Sequence, residues 1–96
     1  MIMSQPITLK SKIIRNPELV ENTIDGEVVM MSIESGEYFG LNEVGSSIWQ
    51  LIENSTTVHD IIGKLLDEYD TTPQECIKDT IEFLEQLRGK NVIKVV

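Results

Sequence analysis

The chain has 96 residues, 41% of them hydrophobic, which suffices for one small core and not for two domains. Sixteen acids against eight bases give a formal charge of −8, which repels phosphate backbones and disfavours nucleic acid as a partner. No apolar run reaches the roughly 18–20 residues of a membrane helix. Met1–Pro6 lacks the pattern of a secretory signal, and one cysteine with one histidine cannot make an internal disulfide or a Cys/His metal cluster. The expectation is a cytoplasmic chain with no membrane partner, no metal and no cofactor.

Residues 1–17 hold Lys10, Lys12 and Arg15 and no acid, whereas residues 18–96 hold five bases against sixteen acids. A cationic or neutral peptide is the partner such a body steers best. With Pro6 and the Arg15-Asn16-Pro17 break, residues 1–17 read as a partly flexible arm with at most a short strand at Lys12–Arg15. The domain proper is expected over 18–96. Leu19–Ile24 and Val28–Ile33 are β-rich runs joined by Asp25-Gly26, a dipeptide suited to the positive φ angles of a type I′ hairpin turn. Glu34-Ser35-Gly36 is the next turn, with Gly36 left-handed, and Tyr38–Leu41 pairs back. With Ile33 opposite Glu37, Val29, Met31, Ile33, Phe39 and Leu41 share the inner face. A two-residue loop would place Tyr38 there instead.

Three helices follow. Asn42 caps the first, with Val44, Ile48, Leu51 and Ile52 as its inner stripe. Thr57 caps the second, whose stripe is Val58, Ile61, Ile62, Leu65, Leu66 and Tyr69. Thr72-Pro73-Gln74-Glu75 opens the third as a capping box. Its inner residues are Ile77, Thr80, Ile81, Leu84 and Leu87, with Cys76 and Phe83 at the margin. Gly89 is placed to terminate it, with Arg88 and Lys90 complementing the helix dipole, and Val92–Val96 can add a closing strand. The fold class is α+β: a three-stranded antiparallel sheet followed by three helices.

Chemistry finds little purchase. His59 reads as a solvent-facing helix residue, Cys76 as a small core-margin residue without a base, and Asp67, Glu68 and Asp70 as a solvated helix end. Ser46-Ser47 lacks the Gly-x-Ser-x-Gly frame of a hydrolase, and Gly36, Gly40 and Gly45 form no phosphate loop. The expectation is a protein that is not an enzyme. The strand Glu37–Leu41 is short, aromatic and uncharged beyond its turn, so a peptide could add to its edge. The arm could cover that edge instead, and the residues leave both readings open.

The stretch from Asp25 to Trp49 closely resembles the PqqD-like family. Its frame is Ser35-Gly36-x-Tyr38-x-x-Leu41-Asn42-x-x-Gly45-x-x-Ile48-Trp49. The likeness continues through Leu51-Ile52, Thr57-Val58, Leu65-Leu66, Tyr69, Phe83-Leu84, Leu87 and Val92-Ile93, over residues 18–95. Gly45 at a helix start suggests a close backbone approach, by a neighbouring strand for instance. The resemblance implies a winged-helix-like recognition element for ribosomally made, modified peptides. In it, a precursor's leader adds antiparallel to the third strand, against the third helix. The implied site residues are Glu37, Tyr38, Phe39 and Gly40 on the strand and Cys76, Asp79, Thr80, Phe83 and Leu87 on the helix, where Asp79 could receive a leader cation or amide. The chain is most similar to the family's stand-alone members from lasso-peptide clusters. That implies a Tyr-x-x-Pro leader, a transglutaminase-like cysteine leader peptidase and an asparagine-synthetase-like cyclase as partners.

Three other readings make different demands. A scaffold of the quinone-cofactor pathway would serve a radical enzyme. A winged-helix regulator would need a basic recognition helix, yet Pro73–Leu87 offers Lys78 against Glu75, Asp79, Glu82 and Glu85. A structural subunit of a larger enzyme would be held by the apolar edge, and an empty aromatic edge can also pair two copies into a homodimer.

Overall fold

The computed structural model describes residues 5–96, so the first four residues of the arm, and with them most of the stretch read for a secretory signal, lie outside the described residues. The elements run β1 (Lys12–Arg15), β2 (Leu19–Ile24), β3 (Glu27–Ser32), β4 (Tyr38–Gly40), α1 (Glu43–Leu51), β5 (Thr56–Thr57), α2 (Val58–Glu68), α3 (Pro73–Gly89) and β6 (Ile93–Val95). They build two antiparallel sheets, ordered β2-β3-β4 and β5-β1-β6, on a shared helical core. The first is the expected meander. The second joins the two runs read singly at Lys12–Arg15 and Val92–Val96, through Ile13 opposite Val95 and Arg15 opposite Ile93. Ile7 and Ile13 are buried in the same core as residues 18–96.

Asp25 and Gly26 take φ of 53° and 82°, so the β2–β3 turn has the mirror-image geometry that matches strand twist. The next turn departs from the expected register. Met30 lies opposite Phe39 and Met31 opposite Tyr38, and the Ser32 N–H donates to the Glu37 carbonyl at 3.0 Å. The loop therefore holds four residues, 33–36, closed by the Gly36 N–H on the Ser32 carbonyl at 2.7 Å with Gly36 at φ 73°. A one-residue shift turns every β3 side chain over. Val28, Met30 and Ser32 are buried, Val29 and Met31 lie half-buried on the outer face, and Ile33 is 64% exposed. Ser32 is tolerated inside because its Oγ accepts the Ser35 N–H at 3.3 Å. Phe39 and Leu41 do face inward, as expected.

All three expected caps form. Asn42 Oδ1 accepts the Gly45 N–H at 2.8 Å, Thr57 Oγ1 that of Asp60 at 3.2 Å, and Thr72 Oγ1 that of Glu75 at 3.2 Å. Val44 leaves the inner stripe of α1 and is 43% exposed, because Gly45 and Ser46 are the residues turned inward. Ser46 Oγ accepts the Val28 N–H and donates to the Leu41 carbonyl, tying α1 to both chain segments at the open end of the β3–β4 hairpin. In α3, Cys76 is buried rather than marginal, while Ile77 and Ile81 are half-buried.

Gly89 is the last residue of α3, and the left-handed residue is Asn91, at φ 60°. The Val92 N–H bonds the Leu87 carbonyl at 2.9 Å and the Asn91 N–H that of Arg88 at 3.1 Å, a Schellman closure that also buries Val92 against the helix end. Asn91→Ala is expected to cost about 1 kcal/mol and Asn91→Gly to be neutral or stabilising, read from thermal denaturation.

Candidate functional site

Hydrogen bonding along the meander fixes which backbone groups are free. Ser32 with Glu37, Met30 with Phe39 and Val28 with Leu41 are the bonded pairs, as the Ser32→Glu37 and Leu41→Val28 bonds at 3.0 and 2.9 Å show. Bonding alternates along an antiparallel strand, so the N–H and C=O of Tyr38 and Gly40 point away from β3. β4 is an edge of its sheet, and among the described residues nothing pairs with that edge. The described part of the arm runs elsewhere. The Ile7 N–H donates to Glu85 Oε2 at 3.2 Å and Arg88 donates to the Gln5 carbonyl at 2.9 Å, on the opposite flank of α3.

The flank of α3 nearer β4 carries Cys76, Thr80, Phe83, Leu87 and Lys90, spaced i, i+4, i+7, i+11 and i+14 along one stripe. Its C-terminal end and the β3–β4 loop enclose a cleft of about 530 Å³ lined by Ser32, Glu34, Glu37, Phe39, Lys90 and Asn91. The Lys90 ammonium lies 5.0 Å from the Phe39 ring centroid. The N-terminal end of the stripe borders a smaller pocket of about 190 Å³, where Cys76, Asp79 and Thr80 meet Val44, Leu65 and Tyr69. Phe83 sits between the two.

The sequence-derived site residues thus fall into three settings. Glu37, Tyr38 and Gly40 are exposed along the open edge, with Tyr38 at 73%, and Phe39 is half-buried at the cleft. Asp79 is exposed at the rim of the smaller pocket. Cys76, Thr80 and Leu87 are buried, with Cys76 Sγ 3.9 Å from Thr80 Oγ1, so they shape the floor of the stripe from below. Lys90, Asn91 and Val44 also line the pockets. The sequence presents Lys90 as a dipole-complementing cation and Val44 as core, and the spacing of neither carries a sign of the cleft.

Phe83 is half-buried against α1, and this explains Gly45. A Cβ there would lie 3.1 Å from Phe83 Cζ, so the close approach is made by an α3 ring and not by a strand. Gly45→Val is expected to dislodge the ring and to destabilise the fold by about 1–3 kcal/mol, measured by urea denaturation.

The groove offers backbone donors and acceptors, apolar side chains and acidic rims at Glu34, Glu37 and Asp79. Among the described residues no three His, Cys, Asp or Glu side chains gather as metal ligands, and no helix is long and apolar enough to cross a membrane.

A winged-helix-like α+β module with a free sheet edge laid beside a helix defines a class of binding domain. The chain belongs to the PqqD family: residues 27–93 match coenzyme PQQ synthesis protein D (PqqD). Among solved structures it is similar to TbiB1 in complex with the TbiA(beta) leader peptide, at 32% identity and a TM-score of 0.80 over 84% of this chain and 94% of that one. It shares its fold with lasso peptide synthetase B1 complexed with the leader peptide, at 22% identity and a TM-score of 0.77 over 85% and 96% of the two chains. No curated protein matches it.

Proposed function

We propose that this protein is a non-catalytic binding protein for the leader segment of a ribosomally made precursor peptide, of lasso type. The leader adds to β4 as an antiparallel strand, and the protein presents it to a cysteine leader peptidase and an asparagine-synthetase-like cyclase in the cytoplasm. The observation that carries this reading is the pair of outward backbone groups at Tyr38 and Gly40, unpaired among the described residues and set beside the α3 stripe. The similarity to TbiB1, which holds a leader peptide, supports it. Holding the precursor near its enzymes would raise its effective concentration there.

A Tyr-x-x-Pro leader would be held in one register. Residues opposite Tyr38 and Gly40 must donate an N–H to β4, which proline cannot do. The proline therefore sits opposite Glu37 or Phe39, where the leader's backbone points away, and only Glu37 keeps the tyrosine within β4. Its ring then lies toward the cleft of Ser32, Phe39 and Lys90. Three residues before it, the tyrosine falls opposite Gly40. Fluorescence polarisation of a labelled Tyr-x-x-Pro leader tests the reading. Micromolar or tighter binding that is lost on Tyr→Ala and on Pro→Ala supports it, and no binding by the folded protein contradicts it.

The PqqD family match also favours a second reading, in which the same groove serves a radical-enzyme peptide-modification pathway. Co-elution with a radical enzyme, and not with a peptidase, would select it.

A further inference from the structure

Gly40 stands in β4 without a backbone reason to be glycine. The left-handed glycines are Gly26 and Gly36, and a Cβ on Gly40 would meet nothing within 4 Å. Glycine inside a strand weakens it, so the position forgoes stability that any β-branched residue would supply. Its cross-strand partner is Val29, on the outer face of the meander. That face is apolar: Val20 and Ile24 are 51% and 54% exposed, and with Val29, Met31 and Tyr38 they border a depression of about 290 Å³. The row Asn22–Val29–Gly40 therefore ends without a side chain, two residues from Tyr38 on the same face, at the edge where the outward backbone groups lie.

We propose that Gly40 is a specificity residue, a notch that receives a large aromatic or aliphatic side chain from the leader residue paired opposite it. The proposal rests on the leader-binding reading. A strand added through Tyr38 and Gly40 presents that residue's side chain to the outer face, about 5.5 Å away between Cα atoms. Having no side chain to meet, it leans across the glycine onto Val29 and Met31, as aromatic residues cover cross-strand glycines within sheets. The leader is thus gripped on both faces of the extended sheet. Its inward residues meet Phe39 and α3, and one outward residue fills the notch.

Gly40→Val separates stability from recognition. Added strand propensity is expected to raise Tm by about 4 °C or more, while the Kd for the Tyr-x-x-Pro leader weakens roughly tenfold. In the proposed register the residue that fills the notch is the leader's tyrosine. In a leader series with glycine at each position in turn, titrated to millimolar peptide, Gly40→Val is expected to bring no further loss to the leader with Tyr→Gly, and the full loss to leaders with glycine at any other position. Unchanged affinity of Gly40→Val, or a loss equal for every leader in the series, overturns the notch while leaving strand addition standing. Failure of the parent protein to bind the intact leader overturns strand addition itself.

Discussion

Tyr38→Pro is expected to weaken leader binding about a hundredfold while leaving the helices and the thermal transition close to those of the parent. The Tyr38 N–H points away from β3, so proline removes no bond of the meander. The side chain is exposed on the outer face, so its loss opens no cavity. What disappears is one of the two donors offered to an added strand, and the ring takes its place against the incoming backbone. A lost bond with an unsatisfied acceptor on the peptide amounts to about 2–4 kcal/mol, which sets the size of the effect. Polarisation titration and circular dichroism read the two halves of the prediction. Loss of secondary structure would place Tyr38 inside the sheet, and undiminished binding would place the leader on another edge.

Trp49→Ala is expected to destabilise the fold by about 3–5 kcal/mol, a large part of the roughly 5–15 kcal/mol that holds a domain of this size together. The ring is 2% exposed. Its Nε1 donates to Glu21 of β2, the Arg15 guanidinium of β1 stacks over it at 4.4 Å, and Arg15 also donates to the Trp49 carbonyl. One residue of α1 thereby ties together strands of both sheets. Its removal leaves a cavity and takes the indole N–H from Glu21 and the ring face from Arg15, whose side chains still pair with each other at 3.4 Å, with the Arg15 Nε already buried without a hydrogen bond. Trp49→Phe, which keeps most of the volume and loses the N–H, is expected to cost about 1–2 kcal/mol. Urea denaturation distinguishes the two, and equal small losses would show that the ring is not a joint.

Where the sequence was legible, a local chemical requirement made it so. Asp25-Gly26 can take two positive φ angles, Thr72-Pro73 can begin a helix, and Asn42 can accept from Gly45 whatever surrounds them. The register of β3 was not legible because Val28-Val29-Met30-Met31 is apolar at both parities. Hydropathy could not choose a face, and the outcome turned on one residue of loop length and on the hydrogen bond that satisfies Ser32. The second sheet pairs Arg15 with Ile93 across nearly the whole chain, and no local pattern announces such a contact. Gly89 and Asn91 can each take the left-handed position, and the length of α3 decides between them.

The open edge of the groove follows from a short aromatic third strand, whereas its helix wall through Cys76, Asp79, Thr80, Phe83 and Leu87 is implied by the resemblance to the PqqD-like family and not by any local pattern. Depth follows the helical period: Thr80 and Leu87, inner residues by their spacing, lie beneath the surface, and Phe83 at the margin is half-buried. The exposed wall is instead supplied by Phe39 with Lys90, and by Val44, which lies outward because Gly45 and Ser46 are the residues of that turn facing the core.

Amide hydrogen exchange followed by NMR, with and without a Tyr-x-x-Pro leader, tests strand addition most directly. Strand addition at β4 predicts that the Tyr38 and Gly40 amides gain protection on binding, while those of Phe39 and Leu41, already bonded to β3, change little. Protection gained at Ile93 and Val95 of β6, or at Leu19, Glu21 and Thr23 along the outer edge of β2, with Tyr38 and Gly40 unchanged, would contradict it.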